Sequence, residues 1–331
     1  MKPGKISENV LKRSVLKYIN QDKKEIARGA AMGNDCALFS LCDCASTAVC
    51  SLSVKEKEAL KHAVFGAVNN LAAGGKKASY LIFNITLPEK AREIRLQEIM
   101  EEAARICEEE QIQIIGGHTE ISSHVEHAVI SVTALGKVQE DKCENAPERV
   151  PGSGDLIGCD VVVSGYIGAD GASLLAVQKE EELAERFPLW LVNEAKNFRK
   201  ELSVVPAAKI AMSQGVQVMH DIREGGIFGA LWEMAQRESV GLTVQLKQIP
   251  MKQSVVEICN YYDLNPYELL SEGCLLMVAK DGETLADALC ENGVEAAVIG
   301  TVTGSNDRII ENGEEIRYMD LPKPDQIRKL L

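Results

Sequence analysis

The chain has 331 residues, more than one hydrophobic core usually fills, and is 46% hydrophobic and 26% charged with a formal net charge of −13. That acidity argues against a general nucleic-acid binder and against attachment to an anionic membrane surface, since both need a basic face. It leaves nucleotides open, because a glycine turn and a Mg²⁺ ion can hold phosphate on an acidic protein.

Residues 1–7 carry no apolar h-region, and no apolar run approaches the length that spans a bilayer. The expected location is cytoplasmic, and the ten cysteines read as reduced thiols. A short helix is predicted from Val10, Leu11, Val15, Leu16 and Ile19. A glycine turn at Gly33 then runs into a strand reaching Phe39, and residues 45–53 return as the second strand of a hairpin. Cys36, Cys42, Cys44 and Cys50 fall in this hairpin. They read either as a metal site or as small packing residues; their spacing lacks the paired C-x₂-C knuckles of zinc sites.

Leu60, Val64, Ala67, Val68, Leu71 and Ala72 repeat at helical spacing up to a glycine stop at Gly74-Gly75, with Asn69 and Asn70 in the last turns. A strand is expected from Tyr80 to Leu87, and Pro88 introduces a long helix burying Leu96, Ile99, Ala103, Ile106 and Cys107. Ile112 to Ile115 reads as a strand that stops at Gly116-Gly117, and Ala128 to Leu135 as another. Between them His118, His124 and His127 accompany Glu120 and Glu126, a zinc-compatible set without the helical H-E-x-x-H spacing. A turn that merely carries histidines is the alternative. Residues 138–154, charged and rich in Pro and Gly, form the predicted linker between domains 1–150 and 151–331.

The second domain opens with a strand at Asp160 to Ser164 and a G-x-x-G-x-x-G run, Gly165 to Gly171, before a helix near Ala172. Charged helices follow over 179–202, and Pro206 opens another. The stretch from Val218 to Ala235 then places a strand, His220-Asp221, the pair Gly225-Gly226 and an amphipathic helix in series. Such a turn exposes N–H groups that, with the helix dipole, can hold an anion; the plainer reading is a tight strand-to-helix connection. On that helix Ile227, Leu231, Met234 and Ala235 share the buried face, and Glu233 and Arg237 are expected to pair towards water. Later come a strand at Cys274 to Ala279, a helix near 283–291, a strand at Val294 to Val302, and a polar tail with a short helical end.

Six segments in this order resemble the aminoimidazole ribonucleotide (AIR) synthetase, or PurM, superfamily, most nearly its HypE-like, AIR-synthase-related members. They are G-N-D-C-A from Gly33, A-V-N-N-L-A-A-G-G from Ala67, G-G-H-T-E from Gly116, V-V-S-G-Y-I-G-A-D-G-A from Val162, H-D-I-R-E-G-G from His220 and N-P-Y-E-L-L-S-E-G from Asn265. The resemblance implies an α/β chain of two domains, whose amino-terminal sheets pair across a homodimer. It implies ATP in a cleft between domains, with Mg²⁺ held by carboxylates, and transfer of phosphate to an oxygen, often an amide-type oxygen. On this mapping Asn34, Asp35, Asn70, Gly116, Gly117, His118, Glu120, Asp221, Glu224, Gly225 and Gly226 fall at the nucleotide. Asp35 and Asp221 take catalytic roles, and Asp35, Asn70 and Glu120 ligate metal. Asn34, Asn70 and His118 stand where the family usually has acids, which implies weaker Mg²⁺ binding. HypE proper ends in a cysteine that carries its reacting group, whereas here Lys329-Leu-Leu331 follows and the nearest cysteine is Cys290; reaction on the chain's own terminus is therefore not expected. Two functions compete: an ATP-dependent enzyme acting on an unidentified small molecule or protein group, and a nucleotide-binding accessory dimer for metalloenzyme (hydrogenase-type) maturation. A metal-binding protein using the cysteine hairpin or the histidine patch is a third reading.

Overall fold

The computed structural model describes residues 12, 26–28, 37–41, 43–50, 56–137 and 153–330. The chain is mixed α/β and falls into two compact units whose main bodies are Asn34–Glu148 and Arg149–Leu330. The predicted opening helix, the turn at Gly33 to Asp35 and most of the 138–154 linker lie outside the described residues.

The amino-terminal unit is a six-stranded sheet: β1 (Ile26–Arg28), β2 (Ala37–Leu41), β3 (Asp43–Cys50), β4 (Lys77–Pro88), β5 (Gln113–Ser122) and β6 (Val129–Lys137). The strand order is β1-β2-β3-β6-β4-β5. Helix α1 (Glu56–Ala73) contacts β3, β4 and β6, and α2 (Glu93–Glu109) contacts β5. Leu60, Val64, Ala67 and Leu71 are all but completely buried, as their spacing predicts. The helix ends in a Schellman motif: Gly75, at φ 72°, donates to the Ala72 carbonyl and Lys76 to that of Leu71. Along β4, Leu81, Phe83, Ile85 and Leu87 are buried while Ile82 and Asn84 on the opposite face are exposed.

Two expectations need correction here. Pro88 does not start the long helix; it closes β4, and a turn in which Ala91 donates to the Pro88 carbonyl precedes α2. Nor does the strand at Ile112 stop at Gly116. β5 continues to Ser122 because the long β4 offers it a parallel partner throughout, with one irregularity between Leu81 and Ile82. Gly117 permits that pairing, since a Cβ there would sit 2.3 Å from the Phe83 carbonyl oxygen.

The carboxy-terminal unit is built on a seven-stranded sheet. Its strands are β7 (Asp160–Ser164), β8 (Val218–Ile222), β9 (Gly241–Gln245), β10 (Cys274–Ala279), β11 (Ala296–Thr303), β12 (Arg308–Asn312) and β13 (Glu315–Tyr318), in the order β13-β12-β9-β11-β7-β10-β8. All neighbours are antiparallel except β12 and β9. Its helices are α3 (Ser153–Leu156), α4 (Ala169–Gln178), α5 (Glu180–Arg186), α6 (Leu189–Asn197), α7 (Val205–Ser213), α8 (Gly226–Glu238), α9 (Gln253–Tyr261) and α10 (Gly282–Glu291). One core cluster joins Val161, Val163, Leu276 and Val278 of the sheet to Ile227, Leu231, Met234 and Ala235 of α8. Val162, Leu275 and Met277, which alternate with those residues, are equally buried, and α7 and α10 contact the central strands.

The glycine run after β7 is structural. Gly165 and Gly168 take φ of 83° and 75°, and a Cβ on Gly171 would meet the Leu269 side chain at 2.5 Å. Glu233 and Arg237 do not face water as predicted, since both side chains are largely buried. Glu233 turns in to His220, while Arg237 binds Glu238 at 2.6 Å and the Met219 carbonyl at 3.1 Å, because both side chains lie over the β8 edge instead of in water.

Candidate functional site

The predicted residues divide between the units. In the carboxy-terminal unit, β8 delivers His220 and Asp221 to the start of the turn, both nearly buried. His220 lies in the register of Leu276 and Asp221 in that of Leu275. A buried imidazole and a buried carboxylate need partners, and His220 Nε2 lies 3.2 Å from Glu233 Oε2. Two residues after Asp221, Arg223 Nε donates to Glu272 Oε2 at 2.7 Å, and the Glu272 side chain is fully buried. That ion pair ties the H-D-I-R-E-G-G segment to the S-E-G segment after Asn265.

The glycines close the turn. Gly225 sits at φ 88° as the residue before α8, and Gly226 at φ 60°. A side chain at Gly226 would place its Cβ 2.5 Å from the Tyr267 carbonyl oxygen, so the Asn265–Leu270 loop is pressed directly against the helix start. The N–H groups here are already used. Gly226 donates to the Arg223 carbonyl at 3.1 Å, and Gly225 donates to Asp325 Oδ2 at 2.7 Å.

Asp325 and its neighbours are the residues that sequence reasoning missed. Asp325 Oδ1 accepts from Ile327 N–H at 2.9 Å, capping the 3₁₀ turn Gln326–Lys329. Arg328 Nη2 lies 2.5 Å from Glu224 Oε1, and Gln326 Nε2 donates to Glu268 Oε2 at 2.8 Å. Burial pushes the Asp325 carboxyl up to about 7, against the amides of Ile327 and Gly225, which favour the anion. The only signal for this in the sequence is an Asp two residues before an apolar Ile in a polar tail, a weak capping pattern.

In the amino-terminal unit, β5 carries Gly116, Gly117, His118 and Glu120, and the register sets His118 beside Asn84 and Glu120 beside Thr86. His118 Nε2 lies 3.6 Å from Glu120 Oε2, and Thr86 Oγ1 donates to Glu120 Oε1 at 3.4 Å. Both side chains are exposed. A Cβ on Gly116 would meet nothing within 4 Å, so the strand is open to an approaching group there. Asn70 is in the last turn of α1 with its carbonyl accepting from Gly74. Asn34 and Asp35 lie outside the described residues.

Of the predicted metal set, β5 supplies the Glu120 carboxylate beside His118, and Mg²⁺ prefers oxygen donors and keeps several waters. Among the described residues no group of three or more His, Cys, Asp or Glu is placed to hold a metal ion. His124 and His127 are exposed, and Cys36 and Cys42 lie outside the described residues. Burial raises the thiols of Cys107, Cys259 (to about 12) and Cys274, so these are packing residues and not nucleophiles. No described helix is long and apolar enough to cross a membrane. A shallow concavity of about 750 Å³, lined by Lys77, Tyr80, Cys107 and Gln111 among others, includes none of the predicted residues.

Two sheets flanked by helices, joined in a series of degenerate glycine and acid turns, define the class. Residues 26–138 match the amino-terminal domain of AIR synthase related proteins and residues 157–311 match the carboxy-terminal domain. The chain belongs to the AIR synthase related family. It is 30% identical over 283 residues to a hydrogenase expression/formation protein of Methanocaldococcus jannaschii, covering 81% of this chain and 77% of that one. It is 28% identical over 228 residues to carbamoyl dehydratase HypE of Rhodobacter capsulatus, covering 68% of this chain and 63% of that one. The fold matches the crystal structure of hydrogenase maturation protein HypE in complex with ATP at a TM-score of 0.70 and 18% identity, over 98% of this chain and 97% of that one.

Proposed function

We propose that the chain binds Mg²⁺–ATP and uses it to activate an amide-type oxygen of a substrate in metalloenzyme maturation of the hydrogenase type. The observation that carries this reading is the match of both units to one family, with a 30% identical relative named for hydrogenase expression and formation. The relatives named carbamoyl dehydratase support this reading, as does the fold shared with a HypE structure solved with ATP.

In this reading Asp35, with Asn70 and Glu120, holds the metal and Asn34 lies at the nucleotide, while Gly116 lets the triphosphate approach the strand that Gly117 keeps paired to β4. His118 stands beside Glu120, 3.6 Å away. By the family resemblance, Asp221, with Glu224 and the Gly225-Gly226 turn, also falls at the nucleotide. ATP supplies a phosphoryl group that turns a poor oxygen leaving group into a good one. The protein's task is to align that group and neutralise its charge. The working form is a homodimer: the sheet face opposite α1 and α2 presents Val49, Ile82 and Val129, all exposed and apolar.

The test is ATP turnover by the purified chain, which should fall at least tenfold in Asp35→Ala. Equal hydrolysis by both proteins would remove Asp35 from the chemistry. A second reading, nucleotide binding without turnover in an accessory dimer, is favoured by the neutral residues Asn34 and Asn70, with His118; clear ATPase activity above a no-enzyme control would end it.

A further inference from the structure

We propose that segment 320–330 is an intramolecular strap that occupies the 224–226 turn, and that a nucleotide must displace it to use that turn. The proposal rests on the functional reading above, in which this turn faces the nucleotide, and adds a regulation to it.

Three observations carry the inference. The strap takes the turn's polar groups: Asp325 receives the Gly225 N–H and Arg328 neutralises Glu224. It also takes the neighbouring loop, since Gln326 Nε2 donates to Glu268 and Gln326 Oε1 accepts from the Asn265 N–H at 3.4 Å. It is seated as well as touching: Asp325, Gln326 and Ile327 are all buried. Between strap and turn, Gly225, Phe228, Gly229, Glu268, Arg317 and Leu321 leave a void of about 10 Å³. That is room for at most one water, so a phosphate cannot enter while the strap is docked.

The strap differs from an ordinary structural anchor in its contacts. It combines a carboxylate, the chemical mimic of an anion at a helix start, with a cation placed on the turn's acid. A phosphate arriving with Mg²⁺ offers both replacements together: phosphate oxygens for the Gly225 N–H, and the metal's charge for that of Arg328 on Glu224. The exchange is then between equivalent partners, which makes it reversible.

The test is a titration of the full chain with a nonhydrolysable Mg²⁺–ATP analogue, set beside Arg328→Ala and Gln326→Ala singly and together. Both side chains are on the strap and outside the β8 core, and circular dichroism would verify folding. The strap predicts tighter binding in the variants, by ~5–150-fold for the pair. It also predicts that the analogue raises amide exchange across 322–330 in the wild type. Equal affinity in all forms, or weaker binding in the variants, overturns the strap and leaves nucleotide binding standing. No binding by any form overturns the nucleotide reading, and the strap with it.

Discussion

Gly116 and Gly226 belong to motifs of similar appearance, yet a side chain meets opposite surroundings at the two. At Gly226 a Cβ runs into the carbonyl oxygens of Tyr267 and Leu269, at a positive φ. Gly226→Ala should therefore cost roughly 1–3 kcal/mol or more in urea denaturation. At Gly116 a Cβ meets nothing within 4 Å, so Gly116→Ala should leave stability unchanged. If nucleotide affinity nevertheless drops, a ligand approaches that strand; unchanged affinity would move the triphosphate elsewhere. Asp325 gives a pH signature. Burial pushes its carboxyl up to about 7 when docked, against an ordinary 3.8, so the folded state holds the proton more tightly than the unfolded chain. Its contribution to stability is then fully present below about 4, declines as pH rises towards 7, and is flat beyond. Thermal midpoints of wild type minus Asp325→Asn should trace that decline; a difference independent of pH would contradict the burial argument.

At the scale of elements, the open face of the amino-terminal sheet is the feature least satisfied in a single chain. α1 and α2 cover the face of Leu81, Phe83 and Ile85, while Val49, Ile82 and Val129 stay exposed. Ile82→Glu should leave the circular dichroism spectrum intact and shift the protein from dimer to monomer in light scattering. A wild type that is already monomeric would show that this face has another role. Most elements were legible in the sequence: α1, β4 and α8 follow from apolar spacing, and β7 and β10, buried on both faces, from continuous apolar runs. β9, β12, β13 and α9 were not foreseen, although Leu242 and Val244 alternate as a strand should. Their partners are distant in sequence, β9 lying between β11 and β12, and short strands of that kind depend on tertiary pairing more than on local pattern. The extension of β5 through two glycines was hidden for the same reason. Only the β4 backbone alongside explains why Gly116 and Gly117 continue a strand instead of breaking it.

For the whole molecule, the succession of turns was readable from the series of six motifs, and the family follows from it. The way those turns are held was not readable. Arg223–Glu272 joins residues 49 apart in sequence, and Arg328–Glu224 joins residues 104 apart, each through single side chains without periodic signature. The family scaffold supports more than one chemistry, so the substitutions Asn34, Asn70 and His118 bear on function more directly than the fold does. With fewer fixed charges, nucleotide affinity should depend steeply on Mg²⁺ and on the one acid retained at the Gly33 turn. The most direct test is calorimetric titration of wild type and Asp35→Ala with a nonhydrolysable ATP analogue, with and without Mg²⁺. Binding that requires both Mg²⁺ and Asp35 is the predicted result; no heat in any combination would contradict the ATP-dependent account.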